Sequence, residues 1–176
     1  AIFHRDGALI IRDTNFARCS AAAGGAIFAN GSSTLIEGGE FRDNVAIASW
    51  IRLDSHGGAI VGGPSTIVRN ALFLGNQAIV APGPQGHGYG GALSGGIDAR
   101  SCTFLGNSAI TDGGATFNTN LRDCILWNNS AAGGPNSLGG SLGSISYSLV
   151  QGGAPGLGIL DEDPGFWGSA DTHLLP

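Results

Sequence analysis

Apolar and small residues recur in this chain at fixed offsets from pairs of glycines. Each unit opens on a glycine pair followed by alanine, and it closes on a large apolar residue that precedes an asparagine by three positions. The glycine pairs lie at 24–25, 57–58, 90–91 and 113–114. The large apolar residues are Phe16, Phe41, Phe73, Phe104 and Leu126. A unit of roughly 20 to 30 residues repeated in this way predicts the stacked coils of a solenoid.

The spacing inside each unit is typical of strands. A small residue stands two positions before each large one, as in the pairs Ala71 and Phe73 or Cys102 and Phe104. Residues two apart lie on the same face of a strand, whereas a helix would need spacings of three and four and would tolerate few glycines. The pattern predicts an all-β fold, a single right-handed parallel β-helix of about five or six turns.

A second column follows the aromatic one at a constant offset. Its members are Asn44, Asn76, Asn107 and Asn129, and Cys19 holds that position on the first turn. Stacked asparagines can hydrogen-bond their side-chain amides from turn to turn, and asparagine tolerates the left-handed backbone of a corner. We therefore predict that the phenylalanine and asparagine columns form a structural ladder.

The chain divides into repeat turns over 1–150 and a closing segment over 151–176. Residues 1–3 match 26–28, in the middle of a unit, so we expect a fragment of a longer solenoid. The strand-like segment 144–150 continues the pattern, and we expect Leu149 to extend the aromatic column. The Gly- and Pro-rich segment that follows is expected to cap the last turn, because an open β edge needs cover.

Charge excludes one class of partner. The net charge is -5, only 12% of residues are charged, and the chain contains no lysine. Nucleic-acid binding needs an excess of positive charge, so we do not expect it. No apolar run has the length of a membrane span.

Three cysteines are too few and too scattered for a disulfide framework. Cys102 and Cys124 share one inward column on neighbouring turns. Stacked side chains point the same way, which holds the Cβ atoms farther apart than a disulfide prefers. We expect two buried thiols that pack as small apolar groups.

Unusual side chains concentrate in two long segments, 45–56 and 77–89, which follow equivalent asparagines on consecutive turns. We expect these loops to lie side by side. Their candidate ligand-binding residues are Trp50, Arg52, Asp54, His56, His87 and Tyr89. Aromatic rings next to polar groups suit sugar binding, although such loops are also often merely solvated.

Catalytic and metal sites have weaker support. A glycoside hydrolase needs paired carboxylates, and the acidic residues form no column. Asp54, His56 and His87 lack a recognised metal-ligand spacing. The acidic turn 161–163 offers oxygen ligands for calcium but not the alternating spacing of a calcium loop. We predict no catalytic residue, no metal site and no cofactor, with calcium left open.

The repeat resembles the GGA(I/L)…FxxN units of chlamydial polymorphic outer membrane proteins and of bacterial right-handed β-helix surface proteins. The closing segments 146–152, 163–166 and 172–176 are similar to the end segment of bacterial β-helix proteins that carry varied surface anchors. The first turn lacks the asparagine, and Leu126 replaces a phenylalanine. The resemblance implies an extracellular or cell-surface protein, since several members of these families are adhesins.

We therefore predict a structural or adhesive surface solenoid, with carbohydrate or other surface proteins as partners. Two alternatives stay open. One is a polysaccharide lyase or glycoside hydrolase of the same fold, and the other is a structural subunit of a larger assembly or filament.

Overall fold

The computed structural model describes residues 1–31, 33–48, 54–81, 86–132, 134–135, 137–141, 143–168 and 171–174. Within these ranges every regular element is a β-strand. None of the described segments is a helix long and apolar enough to cross a membrane. The prediction of an all-β fold is confirmed.

Four six-stranded sheets make up the body of the protein. The first contains Ile2–His4, Ile27–Ala29, Ile60–Gly62, Leu93–Gly95, Thr116–Phe117 and Leu138–Gly139. The second contains Ala8–Arg12, Ser33–Glu37, Thr66–Arg69, Asp98–Arg100, Asn120–Arg122 and Ile145–Ser146. The third contains Phe16–Ala17, Glu40–Arg42, Leu72–Leu74, Thr103–Leu105, Ile125–Trp127 and Leu149–Val150. The fourth contains Ser20–Ala21, Val45–Ala48, Gln77–Val80, Ser108–Ala109, Ser130–Ala131 and Gly134–Pro135.

The remaining described strands form two smaller sheets. The corner sheet pairs Asp54–His56 with His87–Tyr89 in parallel, and it follows the fourth sheet in the chain. Near the carboxyl end, Phe166–Gly168 pairs with Asp171–Leu174 in an antiparallel hairpin.

The chain visits the four sheets in the same order on every turn, so each strand pairs with its equivalents on the turns before and after. Ile60, for example, lies between Ile27 and Leu93 in the first sheet. All pairings in the first three sheets are parallel, and only Gly134–Pro135 runs antiparallel in the fourth. This is the topology of a single parallel β-helix, as the repeat predicts.

The phenylalanine column forms a stack in the interior. Phe41 pairs in register with Phe16 on one side and Phe73 on the other. The ring centroids of Phe16–Phe41, Phe41–Phe73 and Phe73–Phe104 are 5.1, 4.9 and 4.9 Å apart. Stacking of these rings adds to the free energy gained by burying them.

The asparagine column forms a continuous ladder of buried amides. Asn76 Nδ2 donates to Asn107 Oδ1 at 2.9 Å and to the Phe41 carbonyl at 2.8 Å. Its Oδ1 accepts from the Asn44 backbone N–H at 3.1 Å and from Asn44 Nδ2 at 2.9 Å. Because all four hydrogen-bonding capacities of the amide are used, burying it carries no unpaired polar group. The amide hydrogen bonds form as predicted, but the left-handed backbone of this corner lies one residue before each asparagine, at Asp43, Gly75, Gly106 and Asn128.

The glycine pair at 57–58 meets two separate backbone requirements. Gly57 has a φ of +56°, a left-handed conformation that residues with a Cβ rarely adopt. Gly58 packs so closely against the next turn that a Cβ would overlap the carbonyl oxygen of Gly91. The first glycine therefore turns the chain, and the second allows neighbouring coils to approach.

The last turn corrects one prediction. Val150, not Leu149, pairs with Leu126 and continues the inward column, whereas Leu149 pairs with Ile125. The corner before this strand explains the shift, because Tyr147 has a φ of +50° and takes the place that Asp123, with a φ of +54°, holds one turn earlier. The position of the corner, rather than the apolar residue itself, sets which side chain faces inward.

Part of the closing segment lies on the last turn. Leu157 and Leu160 form parallel bridges with Ser146 and Leu149. Carboxylates of the acidic turn accept hydrogen bonds from nearby backbone N–H groups. Asp161 Oδ1 accepts from the Gly152 N–H at 2.9 Å. Asp163 Oδ1 accepts from the Gly165 N–H at 2.9 Å. These carboxylates therefore hold turns together.

Cys102 and Cys124 are buried free thiols in the core. Cys102 Sγ donates to the Arg100 carbonyl at 3.2 Å, and Cys124 Sγ donates to the Arg122 carbonyl at 3.2 Å. The neighbouring Cys124 thiol and burial raise the pKa of Cys102 well above its ordinary value. Cys102 therefore stays a neutral thiol at neutral pH.

Asn76→Ala should destabilise the fold by about 3 kcal/mol or more, because it leaves buried partners on both neighbouring turns unpaired. The measurement is the free energy of unfolding in urea. Asn30→Ala, at an exposed asparagine, is the matched control and should change stability by less than about 0.5 kcal/mol. Equal effects of the two substitutions would contradict the ladder.

Gly58→Ala should unfold the protein or cost more than about 3 kcal/mol, because the added methyl group meets backbone that cannot move independently. Gly63→Ala is the control, since a Cβ there has nothing within 4 Å. It should be close to neutral in the same urea experiment. A tolerated Gly58→Ala would show that the coils can separate.

Candidate functional site

The two long loops meet in the corner sheet. His87 lies opposite Asp54, and Tyr89 lies opposite His56. Single bridges extend this corner by one turn in each direction, from His56 to Ala23 and from Tyr89 to Asp112. The prediction that the loops lie side by side is confirmed for their described parts.

Four rings cluster on the outside of this corner, and we call them the aromatic edge: His56, His87, Tyr89 and Phe117. Tyr89 is central, with its ring centroid 5.2 Å from His56, 5.7 Å from His87 and 4.7 Å from Phe117. The His56, Tyr89 and Phe117 side chains are partly buried, and His87 is exposed. The edge is therefore a set of rings that all keep some exposure, on a scaffold that fixes their positions.

Polar partners flank the rings. His87 Nδ1 lies 3.0 Å from Asp54 Oδ1, and both side chains are about half exposed. Such a pair contributes little to stability in water, so its carboxylate and imidazole are available to a ligand at little cost to the fold. On the inner side, His56 Nδ1 lies 3.3 Å from Ser94 Oγ.

Burial lowers the pKa of His56 below its ordinary value of 6.5, and the nearby Asp54 carboxylate only partly opposes this. Desolvation disfavours the charged imidazolium, so His56 is neutral at neutral pH. A neutral ring stacked on Tyr89 behaves as an aromatic surface rather than as a cation.

Phe117 and Ser94 belong to the site although they lie outside the two long loops. Both lie in the first sheet, at the outward position that follows the inward Thr116 and Leu93. The repeat could have identified both residues. The residue that follows an inward position in a strand faces outward, and in the first sheet that position lies next to the corner.

A groove on the earlier turns lies along the same corner. It has a volume of about 520 Å³, and its lining includes Phe3, Phe28, Arg5 and Asn30. The rings of Phe3 and Phe28 stack with centroids 5.2 Å apart, and Phe3 is 72% exposed. Because Ala23, which also lines the groove, bridges to His56, the groove and the aromatic edge follow one line along the coil.

Two of the predicted ligand-binding residues, Trp50 and Arg52, lie outside the described residues. The other four, Asp54, His56, His87 and Tyr89, are brought together by the corner sheet.

Several carboxylates elsewhere on the coil are paired with arginines. Glu37 contacts Arg69 at 2.9 Å and Arg12 at 3.2 Å, and the hydrogen bond from Arg69 is the main cause that lowers the pKa of Glu37. Asp98 is paired with Arg100. Among the described residues, no group of three or more histidine, cysteine or acidic side chains is placed to hold a metal ion.

NMR titration should give His56 a pKa below 6.5, because the folded protein disfavours the imidazolium. The stability that neutral His56 contributes is fully present above the pKa of the unfolded state. It is lost as the pH falls below that value and through the lower pKa of the folded state. Unfolding at pH 7.5 and pH 5 should therefore show a smaller loss on acidification for His56→Gln than for the wild type. A titration midpoint above 6.5 would contradict the burial argument.

Comparison with known proteins assigns no function, so a function has to be argued from the fold and the surface. No protein-family model, no curated protein and no solved structure matches the chain.

Proposed function

We propose that this protein is a structural and adhesive solenoid of the extracellular space or cell surface, and that it contacts glycans through the aromatic edge. The observation that carries the proposal is the stack of rings around Tyr89, with Asp54 and His87 beside it. The surface location rests on the resemblance of the repeat to bacterial surface proteins.

The chemistry of the edge fits a sugar. A pyranose ring has an apolar face of C–H groups, and this face stacks on aromatic rings. Its hydroxyl groups need directional donors and acceptors, which Asp54 Oδ1 and the imidazole of His87 provide at the exposed end of the stack. A small number of polar groups, held at fixed positions beside apolar surface, is typical of ligand sites.

The scaffold supports binding without rearrangement. Tyr89 and His56 are held by strand pairing in register, and the buried Ser55 lies between Asp54 and His56. A ring that is already ordered loses little conformational freedom when a ligand stacks on it. The groove at Phe3 and Phe28 extends the same apolar line, so an extended glycan chain has room along the coil.

A glycan array should show a defined set of bound glycans for the wild type. Tyr89→Ala should weaken that signal about tenfold, because it removes the ring at the centre of the stack. Tyr89→Phe should retain most of the signal, since it keeps the ring.

Ile10→Ala is the control, because Ile10 is 59% exposed but lies in the second sheet, away from the aromatic edge. The proposal fails if the wild type binds no glycan, or if Tyr89→Ala and Ile10→Ala behave alike.

A further inference from the structure

Arginines gather on the outer face of the second sheet. Its register places Arg12, Glu37, Arg69, Arg100 and Arg122 in one column on successive turns. Neighbouring strands lie about 4.8 Å apart, so these guanidinium groups are close despite the negative charge of the whole chain. The composition does not show this arrangement, because a net charge carries no information about position.

The two ends of the column differ in how the charges are balanced. At the amino-terminal end, Glu37 lies between Arg12 and Arg69 and bonds to both. At the other end, Arg100 and Arg122 are adjacent, with no acidic residue of the column between them. This end therefore combines two cations from neighbouring coils.

Both guanidinium groups are held in place and still have N–H groups to offer. Asp98 binds Arg100 through Nε at 3.1 Å and through Nη2. Arg122 Nε lies 3.4 Å from Asp123 Oδ2, and its guanidinium carbon lies 5.7 Å from the ring centroid of Tyr147. Ion pairing and cation–π stacking reduce the freedom that each arginine would lose on binding a ligand.

A groove of about 250 Å³ lies between these arginines. Its polar lining consists of Asp98, Arg100, Asn120, Arg122, Ser144 and Ser146. Asn120 Oδ1 already accepts from the Ser144 backbone N–H at 2.9 Å, which leaves the amide N–H groups as what Asn120 offers. The groove is rich in hydrogen-bond donors, since it offers two guanidinium groups, an amide and two hydroxyls. Its one carboxylate, that of Asp98, is itself bound to Arg100.

We propose that this groove binds a sugar unit that carries a carboxylate. A guanidinium group pairs with a carboxylate through two parallel hydrogen bonds, which makes Arg122 the main anchor for the acid group. Ser144, Ser146 and Asn120 match the hydroxyls of a sugar ring. The ring of Tyr147, 53% exposed beside Arg122, offers an apolar surface for the sugar to stack on.

This site is separate from the aromatic edge, because it lies on the second sheet and not on the corner between the fourth and first sheets. It also differs in charge, since the aromatic edge presents the Asp54 carboxylate while the groove presents guanidinium groups. A substitution can therefore abolish ligand binding at one site and leave binding at the other unchanged.

The test is an amide NMR titration with methyl β-D-glucuronide and with methyl β-D-glucoside, which differ only in the carboxylate. The glucuronide should shift resonances of residues that line the groove, and raising the salt concentration should weaken its binding. The glucoside should cause no comparable shifts there. Sodium sulfate at matched ionic strength is the third arm, and it should bind at least several-fold more weakly than the glucuronide.

Arg122→Gln should weaken glucuronide binding about tenfold or more, because it removes a charged hydrogen-bond partner. Arg12→Gln is the matched control, since Arg12 stands in the same column but next to Glu37 and far from the groove. It should bind as the wild type does. Arg122 is 60% exposed, so the variant is expected to fold, which the amide spectrum itself checks.

Three outcomes would overturn the proposal: no shifts with the glucuronide, equal loss of binding in Arg122→Gln and Arg12→Gln, or sulfate binding as tight as the glucuronide, which would indicate a simple anion site. Tyr89→Ala should leave glucuronide binding unchanged. Failure of the aromatic edge on the glycan array and failure of this groove are therefore distinguishable.

Discussion

The buried amide ladder holds the coils of this protein in one register. Asn44, Asn76, Asn107 and Asn129 donate and accept along the coil axis, and each also binds a backbone carbonyl of the turn before. An unpaired amide in an apolar interior costs several times what its hydrogen bonds contribute in net terms. A slip of one residue on any turn would unpair this ladder and expose the phenylalanine stack, so one register is strongly favoured.

A fixed interior leaves the exterior free to differ from turn to turn. The inward columns repeat similar residues on successive coils, whereas the outward neighbours of the first sheet run through Phe28, Val61, Ser94 and Phe117. Function on such a scaffold comes from which outward side chains the register brings together. Here it brings together rings at one corner and arginines on another face.

The two proposed sites use the same coil spacing with opposite chemistry. At the aromatic edge the spacing stacks Tyr89 on His56, and burial keeps that histidine neutral. On the second sheet the spacing brings Arg100 and Arg122 together over a groove, and Tyr147 supports one of them. Fold alone does not select between adhesion, catalysis and assembly, so each site has to be judged by its own groups.

The inward half of this protein follows from the repeat in its sequence. Phe41, Asn76 and Gly58 could be placed from spacing alone, because inward positions of a solenoid repeat and each has one role. The outward half depends on how the strands pair in the folded protein. Val150 took the inward place expected of Leu149 because the corner at Tyr147 set the register, and Phe117 packs on Tyr89 although the two belong to different sheets. The arginine column likewise emerges only when strands far apart in sequence are paired, since periodicity reports the spacing of buried residues and not the neighbours of exposed ones.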